Sequence, residues 1–139
     1  MRNTVRNATY ACALILKDGK ALLGRRSHFR ANYPNCWDFI GGKVEEGEEP
    51  EQTLKRELGE ELAINPLCMI YFYTIEDIHV SVEEPPTYLF FRVENWEGGE
   101  PTINNHEHSD LEWFSFRQAC DLSNLALPEY RALLKAALR

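Results

Sequence analysis

The chain has no long apolar run. Nothing in its 139 residues approaches the roughly 20 consecutive apolar positions that a membrane-spanning helix needs. The N-terminal MRNTVRNATYACALIL turns from weakly basic to apolar, but the apolar part is short and β-like. Lys17, Asp18 and Gly19 close it, so the sequence predicts a first strand rather than a signal peptide, and a cytoplasmic protein. Basic charge is also scarce: 15 Lys and Arg face 22 Asp and Glu, for a net charge of −7. That argues against a nucleic-acid polymer as partner, which needs a basic footprint. It leaves room for a nucleotide, whose phosphates metal ions can neutralise. The four cysteines (Cys12, Cys36, Cys68 and Cys120) are scattered, with no C-x-x-C pair for zinc or redox chemistry. Reduced thiols in or near a core are expected. Repeats, linkers and low-complexity segments are lacking, so residues 1–139 read as one domain, large enough for a hydrophobic core.

What is present is a series of β-like and helical segments. Residues 9–16 (TYACALIL) read as a strand, 17–20 as a turn with an Asp-Gly hairpin signal, and 21–25 as the returning strand. Residues 27–36 form a polar loop, and Trp37 to Ile40 a short strand that runs into Gly41-Gly42. A helix is predicted over about 50–62, with Pro50 in its first turn and Glu49 and Glu51 at its positive end. β-rich segments follow at about 67–80 and 86–95, separated by SVEEPP. Residues 96–109 read as a polar loop, 110–115 as a strand, Phe116 to Asp121 as a short helix and Pro128 to Leu138 as the last one. This order fits an α/β protein, a mixed sheet with helices on its faces.

The glutamate-rich stretch 41–64, GGKVEEGEEPEQTLKRELGEELAI, carries the chemistry. At 3.6 residues per turn Leu54, Leu58 and Leu62 share a stripe that must face the core. Glu57, Glu60 and Glu61 project from neighbouring turns, and Glu57 and Glu61 flank that stripe, so partial burial is expected. Like charges at this spacing cost a helix about 0.2–0.5 kcal/mol per pair. A divalent cation reverses that sign, and clustered carboxylates with few other ligands suit Mg²⁺, or Mn²⁺ in its place. Gly41-Gly42 allows close approach of the backbone and leaves a carbonyl free to ligate, and Lys43 is placed to meet a phosphate. Arg56 points away from the leucines, free to pair with Glu60 or with Glu48 folded back.

Gly42 to Ile64 resembles the box of the Nudix family, G-x5-E-x7-R-E-U-x-E-E-x-G-U, with U a bulky apolar residue. Gly42, Glu48, Arg56, Glu57, Leu58, Glu60, Glu61 and Ile64 stand in register. Ala63 departs, standing where the family has a helix-ending Gly. Ile40 departs as well, where many relatives have Pro.

The resemblance implies the Nudix α/β/α sandwich with a mixed β-sheet, of the MutT-like branch. It implies metal-assisted attack of water on a diphosphate linked to another moiety. By resemblance Glu57, Glu60, Glu61 and the Gly42 carbonyl hold metal, Glu48 and Arg56 support them, and a carboxylate takes the water's proton. Glu107, in NNHEHSDLEWF, resembles a further metal-binding glutamate of MutT-like members; the alternative is a solvated loop carboxylate. His106 and His108 beside it are expected to be exposed. Arg25, with Arg26 next, resembles a strand-end arginine that reaches phosphates.

Trp37, Tyr10, Phe72, Tyr73, Tyr88 and Phe90 are aromatics that could stack on a base, though strand aromatics are more often core. Asn124 and Glu129 lie where MutT-like members read a base edge. The leading expectation is a nucleoside triphosphate pyrophosphohydrolase giving a monophosphate and pyrophosphate. The alternatives are a hydrolase of sugar-linked nucleoside diphosphates and a non-catalytic nucleotide-binding domain. A homodimer is compatible with exposed β segments after residue 67.

Overall fold

The structure, a computed structural model, describes residues 8–138. The basic start of the N-terminal segment, on which the leader argument turned, lies outside them. Among the described residues no helix is long and apolar enough to cross a membrane.

The first strand, β1 (Thr9–Lys17), is the axis of the fold. It runs parallel to β7 (Thr87–Val93) from Thr9↔Thr87 to Ile15↔Val93. On its other side it meets β4 (Ile40–Lys43) antiparallel through Tyr10–Ala13. Only its end pairs with β2 (Lys20–Arg26), through the hairpin. Asp18 and Gly19 both take positive φ there (53° and 75°), the twist that a two-residue hairpin turn requires. β2 in turn bonds β3 (Trp37–Asp38) and β9 (His108–Phe114), while β6 (Ile70–Glu76) extends the sheet beyond β7. The sheet is therefore mixed, as expected.

Both faces of β1 are buried. Ala11, Ala13 and Ile15 face one core, together with Leu54, Leu58 and Leu62 of α1 (Pro50–Leu62). Cys12, Leu14 and Leu16 face the other, with Phe90, Tyr130, Leu133 and Leu134, the last three from α3 (Tyr130–Leu138). A short helix, α2 (Phe116–Cys120), lies on the α3 side. The predicted leucine stripe of α1 is 0–1% exposed, so its 3.6-residue period was the right guide.

Several boundaries move. The stretch Trp37 to Ile40 is not one strand: Trp37 and Asp38 bond β2, then the chain changes partner and Ile40 to Lys43 bond β1. Ile40, the second departure from the family's pattern, is fully buried against α1. The 67–80 segment contains β6 only from Ile70 to Glu76, because Asp77 ends it in a turn. Pro66 pairs with Trp96, so a ribbon of β5 (Asn65–Pro66) and β8 (Trp96–Glu97) occupies part of the expected 96–109 loop. All four cysteines are free, but Cys68 is exposed rather than near a core.

Ala63 occupies the C-terminal cap of α1 with φ 58° and ψ 35°, the left-handed conformation that Gly adopts without a Cβ penalty. Its N–H still bonds the Leu58 carbonyl, so the cap forms with Ala in it.

Candidate active site

A cavity of about 310 Å³ opens where β1, β4 and the loop after β2 meet the start of β9. Its lining falls into three chemical groups. Glu57, Glu107, Gly41 and Gly42 come from the box and the 104–107 loop; Arg26, Arg30 and Lys43 bring positive charge; Tyr10, Tyr33, Tyr88 and Tyr130 bring rings and hydroxyls. The cavity is at the small end of ligand sites.

Glu48 anchors the box. It accepts hydrogen bonds from Thr53 Oγ1 (2.8 Å), from the Glu45 N–H (3.0 Å) and from Arg56 Nε and Nη2 (3.1 and 3.0 Å). These donors, Arg56 first, hold its carboxyl down at about 2. Arg56 turns its remaining donor to Glu57 Oε2 at 2.8 Å and stands 3.8 Å from Glu60. Both anticipated partners are present, and Glu57 is an additional one. Glu57 lies flat against β4: a Cβ at Gly42 would overlap its carboxyl group, so only glycine admits it.

Glu61 is the anomaly. Its side chain is 2% exposed, and neither carboxylate oxygen has a hydrogen-bond partner. Burial, with Glu57 and Glu107 nearby, pushes its carboxyl up to about 10. The closest basic group is His108 Nδ1, 3.6 Å from Oε1, too far for a hydrogen bond. His108 is itself buried, contrary to the expected exposure, because β9 begins with it and turns it inward beside Gly24. Burial, then Arg26 and Arg30, push its imidazole down to about 4. Both shifts favour the uncharged forms of the pair. His106 is exposed, as expected.

Glu107 is half-exposed and pairs with Arg30 at 3.2 Å. The loop carrying it is fastened by the Ser27 N–H to the Glu107 carbonyl and by Ser27 Oγ to the His106 carbonyl. Arg30 escaped the sequence reading, since nothing in a polar loop marks it as facing a cavity.

Of the other sequence candidates, Arg26 and Lys43 line the cavity and Arg25 does not; its guanidinium bonds the Asn35 carbonyl. Trp37 is corrected from a stacking residue to a core residue. It is 8% exposed and meets Phe114 edge to face at 5.0 Å, because β3 pairs with β2 and turns the indole toward α3. Asn124 is not in the lining either: its amide bonds the Asn35 carbonyl and its backbone carbonyl accepts from Trp37 N–H, so it fastens two loops. Glu129 bonds His79. Among the described residues, no three His, Cys, Asp or Glu side chains converge tightly enough to close round an ion as they stand. Arg56 holds Glu57 aside, and the Glu60 side chain is 63% exposed. The two orphaned oxygens of Glu61, buried beside Glu57, nevertheless suit a divalent cation.

A family model described as the NUDIX domain matches residues 5–136. The chain belongs to the Nudix family. It is 36% identical over 109 residues to the 8-oxo-dGTP diphosphatase of Escherichia coli strain K12, covering 76% of this chain and 78% of that one. It is 33% identical over 109 residues to the CTP pyrophosphohydrolase of the same strain, covering 77% and 75%. The crystal structure of a MutT NUDIX hydrolase from Burkholderia pseudomallei superposes with a TM-score of 0.79 at 27% identity, over 92% of this chain and 95% of that one. The solution structure of the E. coli ORF135 protein gives 0.76 at 31% identity, over 95% and 89%. Membership bears out the expected MutT-like Nudix fold and the expected reaction class, hydrolysis of phosphoanhydride bonds. Divalent metals are general in this family.

Proposed function

We propose that this Nudix domain hydrolyses a nucleoside triphosphate to a monophosphate and pyrophosphate, with Mg²⁺, or Mn²⁺ in its place. The observation that carries the metal site is Glu61: a buried carboxyl with no partner on either oxygen is costly unless something positive joins it. Glu57, Glu60, Glu61 and the Gly42 carbonyl would hold that ion, with Glu107 as a further ligand. A bound divalent cation neutralises the phosphates and makes a coordinated water more acidic.

The protein's own side chains supply the rest. Arg26, Arg30 and Lys43 line the cavity and meet phosphate oxygens. Asp38, Glu57 and Glu107 are carboxylates that touch the cavity; Asp38 already accepts from the Phe39 N–H and the Tyr130 hydroxyl, so Glu57 or Glu107 takes the proton of the attacking water. Arg56, gripped by Glu48, fixes the rotamer of Glu57 and so its aim. The preference for a triphosphate over a sugar-linked diphosphate draws on the two relatives named for CTP and 8-oxo-dGTP.

The test is product release with Mg²⁺ against normal and oxidised dNTPs, CTP, ADP-ribose and nucleotide sugars. Pyrophosphate from a triphosphate, lost in Glu60→Gln, is expected. Turnover confined to a sugar-linked diphosphate would overturn the substrate and keep the site. Nucleotide binding without any turnover would replace the enzyme by a binding module.

A further inference from the structure

Asp77 is the one fully buried aspartate among the described residues, and nothing in the box explains it. It stands just after β6, outside the metal-binding carboxylates and outside the cavity lining. Its two oxygens divide four donors. Oδ2 accepts from the hydroxyls of Tyr33 and Tyr88, each at 2.8 Å. Oδ1 accepts from the N–H groups of His79 (3.0 Å) and Val80 (3.3 Å). Both tyrosines line the cavity. They come from different segments, Tyr33 from the loop after β2 and Tyr88 from β7, so Asp77 sets their spacing.

Two further observations bear on what this spacing is for. Tyr33 has a φ of 55°, a left-handed conformation that a bulky residue rarely adopts. Strain of this kind persists where the surroundings hold it, and it gathers at ligand sites. In addition, the turn that Asp77 caps is tied to the segment before α3, through His79 Nε2 and Glu129 at 3.0–3.1 Å. Asp77 thus joins three parts of the chain around two phenol rings. Phosphates are met by Arg26, Arg30 and Lys43, so the rings are left for the uncharged part of the substrate.

We propose that Asp77 is a positioning residue for the nucleoside: it acts through Tyr33 and Tyr88, fixing the aromatic wall against which the sugar or base rests. This rests on the nucleotide reading above. Asparagine could keep the link with the roles exchanged, its oxygen on the two N–H groups and its NH₂ donating to the two hydroxyls; alanine removes the link outright.

The experiment is steady-state kinetics of Asp77→Ala, Tyr33→Phe, Tyr88→Phe, the double Phe variant and the triple variant on the best nucleotide of the wild type, with folding checked by circular dichroism. For Asp77→Ala we expect KM to rise about tenfold or more with kcat within about threefold, the pattern of lost ground-state binding. In the Tyr33→Phe/Tyr88→Phe background the same change is expected to add little, because its route is already cut. An unchanged KM in folded Asp77→Ala, or an undiminished effect in the double-Phe background, overturns the proposal. Should Asp77→Ala not fold, the two single Phe variants decide: a raised KM supports the wall, and an unchanged KM in both overturns it. Failure of the nucleotide reading shows separately, in the wild type. A wild type that turns over nothing is assayed by nucleotide Kd in place of KM, with the same two outcomes.

Discussion

Arg56 and Glu57 are consecutive in the chain, yet their side chains meet, Arg56 Nη1 donating to Glu57 Oε2 at 2.8 Å. Consecutive helical residues do not normally face each other. The contact exists because Glu48 draws the guanidinium across the helix surface with two further hydrogen bonds. Arg56→Ala is expected to free both carboxylates and lower kcat/KM by about 10–100-fold, with a weaker metal dependence. Arg56→Lys should recover only part of this, since a single ammonium cannot reproduce the forked grip. A metal titration of activity measures both. Wild-type kinetics in Arg56→Ala would remove Arg56 from the site.

Glu61 gives the metal-free protein a pH-dependent weakness. Burial in the folded protein pushes its carboxyl up to about 10, from an ordinary value of 4.5. Between those values the unfolded chain has released a proton that the folded one keeps. The contribution is fully present below about pH 4.5 and is lost as pH rises toward about 10. Glu61→Gln, which cannot ionise, should match the wild type near pH 5 and exceed it by roughly 1 kcal/mol or more at pH 8 without metal. Thermal or urea unfolding with chelator present tests this. The same variant should lose turnover by orders of magnitude with metal present.

Arg30 and Arg25 should separate in kinetics. Arg30 lines the cavity and Arg25 does not. Arg30→Ala is expected to raise KM for a triphosphate by about tenfold, the loss of one charge-assisted contact. Arg25→Ala should leave KM within about twofold. The reverse pattern would restore the strand-end arginine as the phosphate contact.

Ala63 should be improvable. A left-handed Ala costs about 1–2 kcal/mol, and glycine recovers part of that after its own entropy is counted. Ala63→Gly is expected to raise stability by about 0.5–1 kcal/mol and Tm by about 2–4 °C, as read by calorimetry. A lower Tm would mean that the Cβ makes a contact worth more than the strain.

What was legible in the sequence was local. The stripe of Leu54, Leu58 and Leu62 follows from helical period alone, and the hairpin follows from Asp18-Gly19. The box residues stand on one short segment, so their spacing survives folding. Trp37 was misjudged because its direction depends on β3 pairing with β2, which its own neighbours do not encode. His108 was misjudged for a similar reason: a polar loop hides the first residue of an inward-turning strand. Asp77 was read as part of a long strand, when its side chain in fact closes a turn by capping His79 and Val80. Tyr33, Asp77 and Tyr88 are separated by up to 55 positions, and only the fold brings them together.

The double burial of β1 has a consequence for how this chain tolerates change. Alternate residues of one strand serve opposite cores, Ala11, Ala13 and Ile15 on one side and Cys12, Leu14 and Leu16 on the other. A one-residue insertion early in β1 would exchange the two sets, leaving one layer underfilled where leucines stood and crowding the other where alanines stood. It would also slide the strand past Gly41 and Gly42, where backbone and carboxylate leave no room for a Cβ. Catalytic alignment and hydrophobic packing thus share one register, and neither can drift while the other stays.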